Sequence, residues 1–490
     1  MADAERETRS YDVVVVGGGA VGENVADRAS RTGLSVVVVE AELVGGECSY
    51  WACMPSKALL RPGAVLAAAR AVRGAAQAVT GGVDAAEVLA RRDAIVHDWD
   101  DQSQLDWLAS VGIDLVRGRA RFTGPRSLDV TTDDGGVVAL VARHAVVVAT
   151  GSEPVIPDVP GLAASEPWTS REATSVQDVP ASLAIVGGGV VGVEMATAFT
   201  DLGSRVTLLV RGDRLLAGTE PFAGEAVAAS LKAAGVDLRL ETEVTRAVRD
   251  DRGVTLTLTS GEGPLAGASV LVDEVLVAAG RRPRTTSIGL EEIGLTPGAP
   301  LTVDDSLRVT GVDGDWLYAA GDVTGRVGTT HQGKYDARVA GDVVAARFGA
   351  DADAAAVDAA PAWSRFRASA DHEAVPQVVF SRPEVAAVGL TEAAARAAGY
   401  PVRTVELSLA SLAGSTVAAD DYEGTASIVV DTDREIILGA TFVGPDVAEL
   451  LHAATIAVVA QVPLRRLWHA VPAYPTVSEV WLRFLQGYGL

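Results

Sequence analysis

The chain contains only two cysteines, and Cys48 and Cys53 lie five positions apart in a sequence of 490 residues. Two thiols this near in sequence can exchange electrons with a substrate as a dithiol and disulfide pair. The chain starts MADAERETRS, which has neither the basic start nor the apolar stretch of a secretory signal, and this predicts a cytoplasmic location. In that compartment a close cysteine pair is more typical of catalytic or redox chemistry than of a structural bridge.

The elements that must position these thiols include a duplicated segment. The first copy reads VVVVGGGAVGENVADRASRTGLSVVVVE and ends at Glu40, and the second reads LAIVGGGVVGVEMATAFTDLGSRVTLLV and ends at Val210. Each copy predicts a strand, a glycine-rich turn, a helix and a second strand, which is the dinucleotide-binding βαβ fingerprint. Its glycines are Gly17, Gly19 and Gly22 in the first copy and Gly187, Gly189 and Gly192 in the second. Two copies predict two dinucleotides in one chain, a flavin and a nicotinamide.

The two copies differ at their last position, where the ribose is recognised. Glu40 is a carboxylate that can accept hydrogen bonds from ribose hydroxyls. The equivalent residue in the second copy is Val210, which Arg211 and Arg214 follow. Because a guanidinium binds a 2′-phosphate that a carboxylate would repel, this second site is predicted to prefer NADPH over NADH. Gly192 is a counter-signal, since many NADP sites have alanine there, and use of NADH stays open.

The composition predicts a folded, acidic protein. The chain is 48% apolar and 21% charged, and its 41 basic and 64 acidic residues give a net charge of −23. The length suggests about three domains. A negative field repels phosphates, which argues against nucleic acid and anionic membrane surfaces as partners. The apolar runs fall short of the ~18 residues that a membrane helix needs.

The segment GGECSYWACMPSK, from Gly45 to Lys57, resembles the class I flavoprotein disulfide reductases. That family includes dihydrolipoamide dehydrogenase, glutathione reductase and mercuric reductase. Further segments match the family in the same order: VVVATGSEP (146–154), VLVAAGRRP (275–283), LYAAGDVTG (317–325) and VVFSRPEVAAVGLTE (378–392). The resemblance therefore covers nearly the whole chain.

The resemblance implies an α/β fold with two Rossmann-like dinucleotide-binding domains and a C-terminal α+β dimerisation domain. The implied bounds are 1–153 and 283–350 for the two parts of the FAD-binding domain, 154–282 for the NAD(P)H-binding domain and 363–490 for the interface domain. The protein is then expected to be a homodimer.

The resemblance also assigns roles to the two thiols. Cys53 would lie against the flavin and form the charge-transfer thiolate, whereas Cys48 would face the substrate and exchange with it. Lys57 would pair with Glu194 near the flavin ring. Five residues of regular helix rise about 7.5 Å, beyond the ~4.4–6.8 Å Cα separation of a disulfide, so a bridge requires an irregular turn.

The fingerprints and the resemblance together imply which residues contact the cofactors. For FAD these residues are Gly17, Gly19, Gly22, Glu40, Gly46, Lys57, Thr150, Gly151 and Asp322. For NADPH they are Gly187, Gly189, Gly192, Arg211, Arg214 and Gly280. Asp322 is expected to hold the ribityl chain of the flavin, and no metal site is predicted.

Two residues depart from the family pattern. Glu47 replaces a threonine beside the FAD pyrophosphate, so its carboxylate is expected to turn away or to be protonated. Arg284 replaces an asparagine after GRRP, and nothing in the sequence explains it.

The C-terminal motif lacks the base of the family. The family pattern H-P-T-x-S-E supplies, from the second subunit, a histidine that is acid and base at the cysteines and a glutamate that orients it. This chain reads YPTVSE, so Tyr474 replaces the histidine whereas Glu479 is kept. A phenol accepts protons poorly at neutral pH. His469, five residues upstream, is the alternative base.

These features favour an NADPH-dependent reductase that passes electrons through FAD and the cysteine pair to a small disulfide or another thiophilic acceptor. Without the histidine, acceptors whose departing sulfur needs no proton are favoured. Two alternatives stay open, namely direct transfer from the flavin to a quinone or dioxygen, and the dihydrolipoamide dehydrogenase subunit of a multienzyme complex. The missing histidine, Arg211 and Arg214 argue against the second alternative.

Overall fold

The computed structural model describes residues 7–260 and 268–490. These residues form two compact units. Unit 1 comprises residues 7–54, 93–153 and 281–371, and unit 2 comprises residues 55–92, 154–260, 268–280 and 372–490. The prediction that the N-terminus carries no secretory signal falls largely on residues 1–6 and lies outside the described residues.

The strands follow in chain order. They are β1 (Glu7–Val16), β2 (Val36–Glu40), β3 (Asp114–Arg117), β4 (Arg119–Gly124), β5 (Ser127–Thr131), β6 (Val137–Val148), β7 (Ser152–Pro154), β8 (Ser182–Val186), β9 (Arg205–Leu209), β10 (Asp237–Arg239), β11 (Thr242–Asp250), β12 (Gly253–Ser260), β13 (Ala268–Val272), β14 (Glu274–Val277), β15 (Arg281–Pro283), β16 (Leu317–Ala319), β17 (Pro376–Val379), β18 (Glu384–Gly389), β19 (Val402–Ser408), β20 (Thr425–Asp431) and β21 (Ile436–Gly444).

The helices are mostly short. They are α1 (Ala20–Ser30), α2 (Gly46–Tyr50), α3 (Cys53–Arg70), α4 (Ala85–Ile95), α5 (Gln102–Ser110), α6 (Ser170–Ser175), α7 (Val190–Asp201), α8 (Pro221–Ala233), α9 (Thr330–Phe348), α10 (Ala354–Asp358), α11 (Ala370–Glu373), α12 (Glu392–Ala397), α13 (Ala413–Ala418), α14 (Leu451–Val459), α15 (Leu464–Leu467) and α16 (Val480–Tyr488). None of the helices that the structure describes has the length and apolar character needed to span a membrane.

Unit 1 is built on a sheet of order β3-β2-β1-β6-β5-β4, with β16 also paired to β6. The pairs β1–β2, β2–β3, β1–β6 and β6–β16 are parallel, and β4 and β5 extend the sheet as antiparallel strands. Side chains of β1 alternate between the two faces of this sheet. Val13 and Val15 pack with α1 and α9, whereas Val14 and Val16 pack with Phe122 on the opposite face. Apolar cover on both faces explains why the run before the first glycine-rich turn is wholly apolar.

Unit 2 contains a second parallel sheet, of order β10-β9-β8-β14. Helix α7 packs on this sheet through apolar residues that include Val193, Ala196 and Phe199. The unit also holds a three-stranded antiparallel sheet, β11-β12-β13, and a five-stranded antiparallel sheet, β17-β18-β21-β20-β19. The predicted α/β fold with two Rossmann-like βαβ units is therefore confirmed.

Candidate active site

The two cysteines lie where two helices of the chain meet. Cys48 belongs to α2, which ends at Tyr50, and Cys53 is the first residue of α3. Trp51 between them has φ −137°, so the backbone turns instead of continuing as one helix. An irregular turn of this kind is what a bridge between two residues at this spacing requires.

Both cysteines carry reduced thiols, and each contacts the other and Thr330. A hydrogen bond with Cys53, desolvation and the negative charge of Cys53 together raise the pKa of the Cys48 thiol well above its ordinary value. Thr330 and Lys334 of α9 lower the Cys48 pKa by smaller amounts. The Thr330 Oγ1 atom also lies 3.2 Å from Cys53 Sγ. Because the two thiols lie within hydrogen-bonding distance of each other, they titrate as a pair, and the Thr330 hydroxyl can donate to Cys53 when that sulfur is a thiolate.

The first glycine-rich turn, in unit 1, allows close backbone approach. Gly17 has φ +106°, and a Cβ there would lie 2.4 Å from the carbonyl oxygen of Ala149. A Cβ at Gly22 would lie 1.8 Å from the carbonyl oxygen of Gly17. Helix α1 begins after Gly19 without a side-chain cap, which leaves its first N–H groups for an anionic ligand.

Glu40 and Gly46 lie beside this turn. Glu40 Oε2 accepts a hydrogen bond from the N–H of Gly18 at 2.6 Å, and Oε1 accepts one from the N–H of Glu42 at 2.7 Å. These bonds fix the carboxylate at the end of β2, the place where a ribose is recognised in such folds. Gly46 also leaves no room for a side chain, because a Cβ there would lie 2.8 Å from Gly19 Cα.

Three further residues predicted to contact FAD are linked in unit 1. Thr150 Oγ1 donates to the carbonyl oxygen of Arg284 at 2.8 Å, and the carbonyl oxygen of Gly151 accepts from the Arg284 N–H at 3.0 Å. Asp322 Oδ2 accepts a hydrogen bond of 2.6 Å from Ser152 Oγ. Ser152 thus ties the segment after β6 to Asp322, a role that the sequence reasoning missed.

The second glycine-rich turn, in unit 2, repeats the geometry of the first. A Cβ at Gly187 would lie 2.3 Å from the carbonyl oxygen of Ala278, and one at Gly192 would lie 1.9 Å from that of Gly187. Helix α7 begins after Gly189, again without a side-chain cap. Both glycine-rich turns therefore allow a diphosphate to approach the backbone closely, and both helices offer it N–H donors.

The residues after β9 differ in how accessible they are. Val210 is buried and Arg211 is exposed. Arg214 is partly buried, and its Nη2 donates to the carbonyl oxygen of Ala217 at 2.7 Å. Gly280, with φ +119°, lies shortly after β14. Of the two predicted phosphate ligands, Arg211 is the more accessible.

Lys57 and Glu194 form an ion pair within unit 2. Lys57 Nζ lies 2.7 Å from Glu194 Oε2, and Glu194 Oε1 accepts from the N–H of Phe380 at 3.0 Å. Because Glu194 is only 3% exposed, these two donors are what makes the burial of its charge tolerable. Lys57 Nζ also lies 4.9 Å from the centroid of the Phe380 ring. Sequence reasoning missed this use of Phe380, although it lies in the segment matched to the family.

Tyr474, Glu479 and His469 lie in the C-terminal part of unit 2. Tyr474 is 78% exposed, and His469 is exposed as well. Glu479 is buried, and its Oε1 accepts from Arg483 Nη2 at 2.7 Å. Its Oε2 has no hydrogen-bond partner among the residues that the structure describes. Glu479 therefore keeps one acceptor that a neighbouring donor can use.

Two family models account for most of the chain. Residues 11–337 match the family described as pyridine nucleotide-disulphide oxidoreductase, and residues 375–483 match the dimerisation domain of that family. The chain belongs to the pyridine nucleotide-disulphide oxidoreductases. This confirms the predicted family and the predicted C-terminal dimerisation domain.

Relatives of this oxidoreductase match it over almost its entire length. A mercuric reductase from Streptomyces lividans is 33% identical and covers 96% of this chain and 94% of its own. A dihydrolipoyl dehydrogenase from Thermus scotoductus is 30% identical and covers 96% of each chain. Among solved structures, the Cu(II) complex of the HOCl-induced flavoprotein disulfide reductase RclA from Escherichia coli is 26% identical, with a TM-score of 0.81 over 98% of this chain and 99% of that one.

The oxidoreductase is thus a flavin-dependent enzyme that uses a pyridine nucleotide. The family is FAD-dependent, and unit 1 fits FAD. Gly17, Gly22 and Gly46 leave no room for a side chain, and the uncapped start of α1 offers N–H donors to a diphosphate. Glu40 is held at the position where it can bind the ribose.

Proposed function

We propose that this oxidoreductase is an NADPH-preferring reductase that delivers electrons through Cys48 and Cys53 to a small disulfide or another thiophilic acceptor. The observation that carries the proposal is the close pair of reduced thiols in unit 1, in which Cys48 hydrogen-bonds with Cys53 and the Thr330 Oγ1 atom lies 3.2 Å from Cys53 Sγ. Such a pair can exchange with a substrate disulfide and then close a bridge between its own two sulfurs.

The bound FAD would supply two-electron transfer between the nicotinamide and the cysteine pair. Cys48, as thiolate, would attack the substrate disulfide and form a mixed disulfide while one thiol leaves. Cys53 would then attack the Cys48 sulfur, which releases the second thiol and closes the Cys48–Cys53 bridge. Each turnover consumes two electrons and two protons. Lys57 and Glu194, with the Lys57 ammonium packed on the Phe380 ring, would form a fixed charge pair within unit 2.

The absence of the family histidine affects which acceptors the enzyme can reduce efficiently. In the first step the departing sulfur leaves as a thiolate unless a donor protonates it, and Tyr474 is a weak acid for that task. The proposal therefore favours acceptors with acidic or thione-forming thiols. Mercuric reductases among the relatives also support the inclusion of thiophilic metal ions among candidate acceptors.

A substrate panel under anaerobic conditions tests the proposal. With NADPH as donor, an aromatic disulfide with acidic thiols should be reduced faster than lipoamide or glutathione disulfide, and this reduction should require both cysteines. Turnover of quinones that survives in the Cys48→Ser variant, without any disulfide reduction by the unmodified enzyme, would contradict the proposal.

Dihydrolipoamide dehydrogenase is the second candidate function, because several relatives carry that name at about the same identity. It predicts efficient NADH-linked turnover of lipoamide. Val210, Arg211 and Arg214 favour NADPH instead.

Replacement of Arg211 by alanine is expected to raise the KM for NADPH about ten- to a hundredfold and to leave the KM for NADH little changed. The reason is that a charge-assisted contact with the 2′-phosphate, worth about 1.5–3 kcal/mol, would be lost. Steady-state kinetics with each nucleotide measures the effect. Arg252→Ala, an exposed arginine of unit 2 paired with Asp250, is the matched control and should change neither KM. Equal use of both nucleotides by the unmodified enzyme would refute the preference.

We also propose a homodimer in which Tyr474 of one subunit faces Cys48 of the other. The dimerisation domain match supports this, as do the exposed apolar side chains of this region, Ile456, Val459, Trp468 and Val471. Sedimentation of the holoenzyme should give twice the chain mass at the concentrations used for assay. A fully active monomer would rule out the shared site.

A further inference from the structure

Glu47 and Arg284, the two residues that depart from the family pattern, contact each other in unit 1. Arg284 Nη2 lies 3.2 Å from Glu47 Oε1, and Arg281 Nη2 donates to Glu47 Oε2 at 2.5 Å. The three side chains are partly exposed, from 24% for Glu47 to 38% for Arg284. Two guanidinium groups thus compensate the carboxylate, which explains how a negative side chain is accommodated at position 47.

Arg281 extends this contact to Asp322. Its Nε donates to Ser152 Oγ at 2.7 Å, and its Nη2 donates to the carbonyl oxygen of Ser152 at 2.8 Å. Because a guanidinium only donates hydrogen bonds, Ser152 Oγ must use its single proton for Asp322 Oδ2, which lies at 2.6 Å. Glu47 therefore fixes Arg281, Arg281 fixes the Ser152 hydroxyl, and that hydroxyl holds Asp322.

The same residues join three separate segments of unit 1. Glu47 lies in α2, directly before Cys48. Arg281 begins β15, which pairs with β7. The backbone of Arg284 is bonded to Thr150 and Gly151. The segments that meet here are those that carry Gly46, Thr150, Gly151 and Asp322, all predicted to contact FAD.

We propose that Glu47, Arg281 and Arg284 form an FAD-retention clamp, in which Glu47 and Arg284 are positioning residues that act as one unit. The clamp holds α2 to the segments around β7 and β15 and orients Asp322 for the cofactor. It rests on the FAD dependence of the family and not on the identity of the acceptor. Glu47 without its arginines would bring uncompensated negative charge near the FAD diphosphate, which explains why both departures occur together.

The test measures FAD binding itself. Apoprotein is titrated with FAD by the quenching of flavin fluorescence, and FAD release from diluted holoenzyme is followed over time. Glu47→Thr and Arg284→Asn are each expected to raise the Kd for FAD about tenfold, because Arg284→Asn removes its ion pair with Glu47 and Glu47→Thr removes that pair together with the one to Arg281. The double variant should lose no more affinity than Glu47→Thr alone, since the ion pair between Arg284 and Glu47 is already absent in that single variant. Arg284→Lys keeps a positive charge that can pair with Glu47, so this variant should retain most of the affinity for FAD.

Arg282→Asn is the matched control. Arg282 lies between the two clamp arginines and pairs instead with Glu153 at 2.7 Å, so its loss should leave FAD binding unchanged. Thermal unfolding of each apoprotein checks the fold, and Glu47→Gln replaces Glu47→Thr if the latter does not fold. FAD binding as tight in Glu47→Thr as in the unmodified chain, or losses that multiply in the double variant, would overturn the clamp. Neither result would contradict the proposed transfer of electrons from NADPH through FAD to the cysteine pair.

Discussion

The Cys48→Ser variant is expected to show a long-wavelength thiolate-to-flavin absorption band as isolated, without any reductant. The reason is that Cys53 can no longer form a bridge, so its thiolate stays free beside the flavin. The Cys53→Ser variant should lack the band even after anaerobic addition of NADPH. Both variants should lose disulfide reduction, because exchange needs the two sulfurs together. Anaerobic absorption spectra of the two holoenzymes, prepared in parallel, measure the difference.

The two cysteine variants serve as controls for each other. They change one Sγ atom to Oγ at positions five residues apart, so a general disturbance of α2 or α3 would affect both alike. A band in Cys53→Ser and none in Cys48→Ser would reverse the roles assigned to the two thiols.

The Tyr474→His variant is expected to reduce alkyl disulfides at least tenfold faster than the unmodified enzyme near neutral pH. A positioned acid or base typically contributes about 10²–10⁴-fold to such proton transfers, and an imidazole serves both the activation of Cys48 and the protonation of the departing sulfur. Glu479 can orient the new imidazole because its buried Oε2 has no partner among the described residues. Steady-state rates with lipoamide and with glutathione disulfide measure the gain.

Two further variants isolate the cause of that gain. Tyr474→Phe removes the hydroxyl without adding a base and should give no increase. His469→Ala should leave the rate unchanged if His469 is not the base, and a large loss would identify it as the surrogate. Quinone or dioxygen turnover, which bypasses the cysteines, should barely respond to Tyr474→His. Efficient lipoamide reduction by the unmodified enzyme would show that the tyrosine is no handicap.

The fold was predictable from the sequence because its signals are local. Each apolar run, glycine-rich turn and helix of the two fingerprints lies within about thirty residues, the length of one βαβ unit. The residues after β9 were likewise within reach of sequence comparison between the two copies. The strands of the five-stranded sheet in unit 2 could not be predicted one by one, because β20 and β21 are buried over almost their whole length and show no alternation of buried and exposed residues.

The contacts that refine the site were beyond sequence reasoning because they join distant residues. Thr330 carries no motif, yet it contacts Cys53 across 277 positions. Glu47 and Arg284 are 237 positions apart, and the departure of each from the family pattern is explained only by its contact with the other. Pairings of this kind depend on how the segments of unit 1 pack, which composition and periodicity do not specify.

Counting thiols before and after reduction tests the electron path most directly. The chain has only two cysteines, so air-oxidised holoenzyme unfolded in denaturant should show no reactive thiol if Cys48 and Cys53 are bridged. After anaerobic addition of one equivalent of NADPH, the same assay should show both thiols, because the electrons have passed from the nucleotide to the pair. A flavin that is bleached by NADPH while the thiol count stays unchanged would show that the cysteines lie off the path, and would contradict this account.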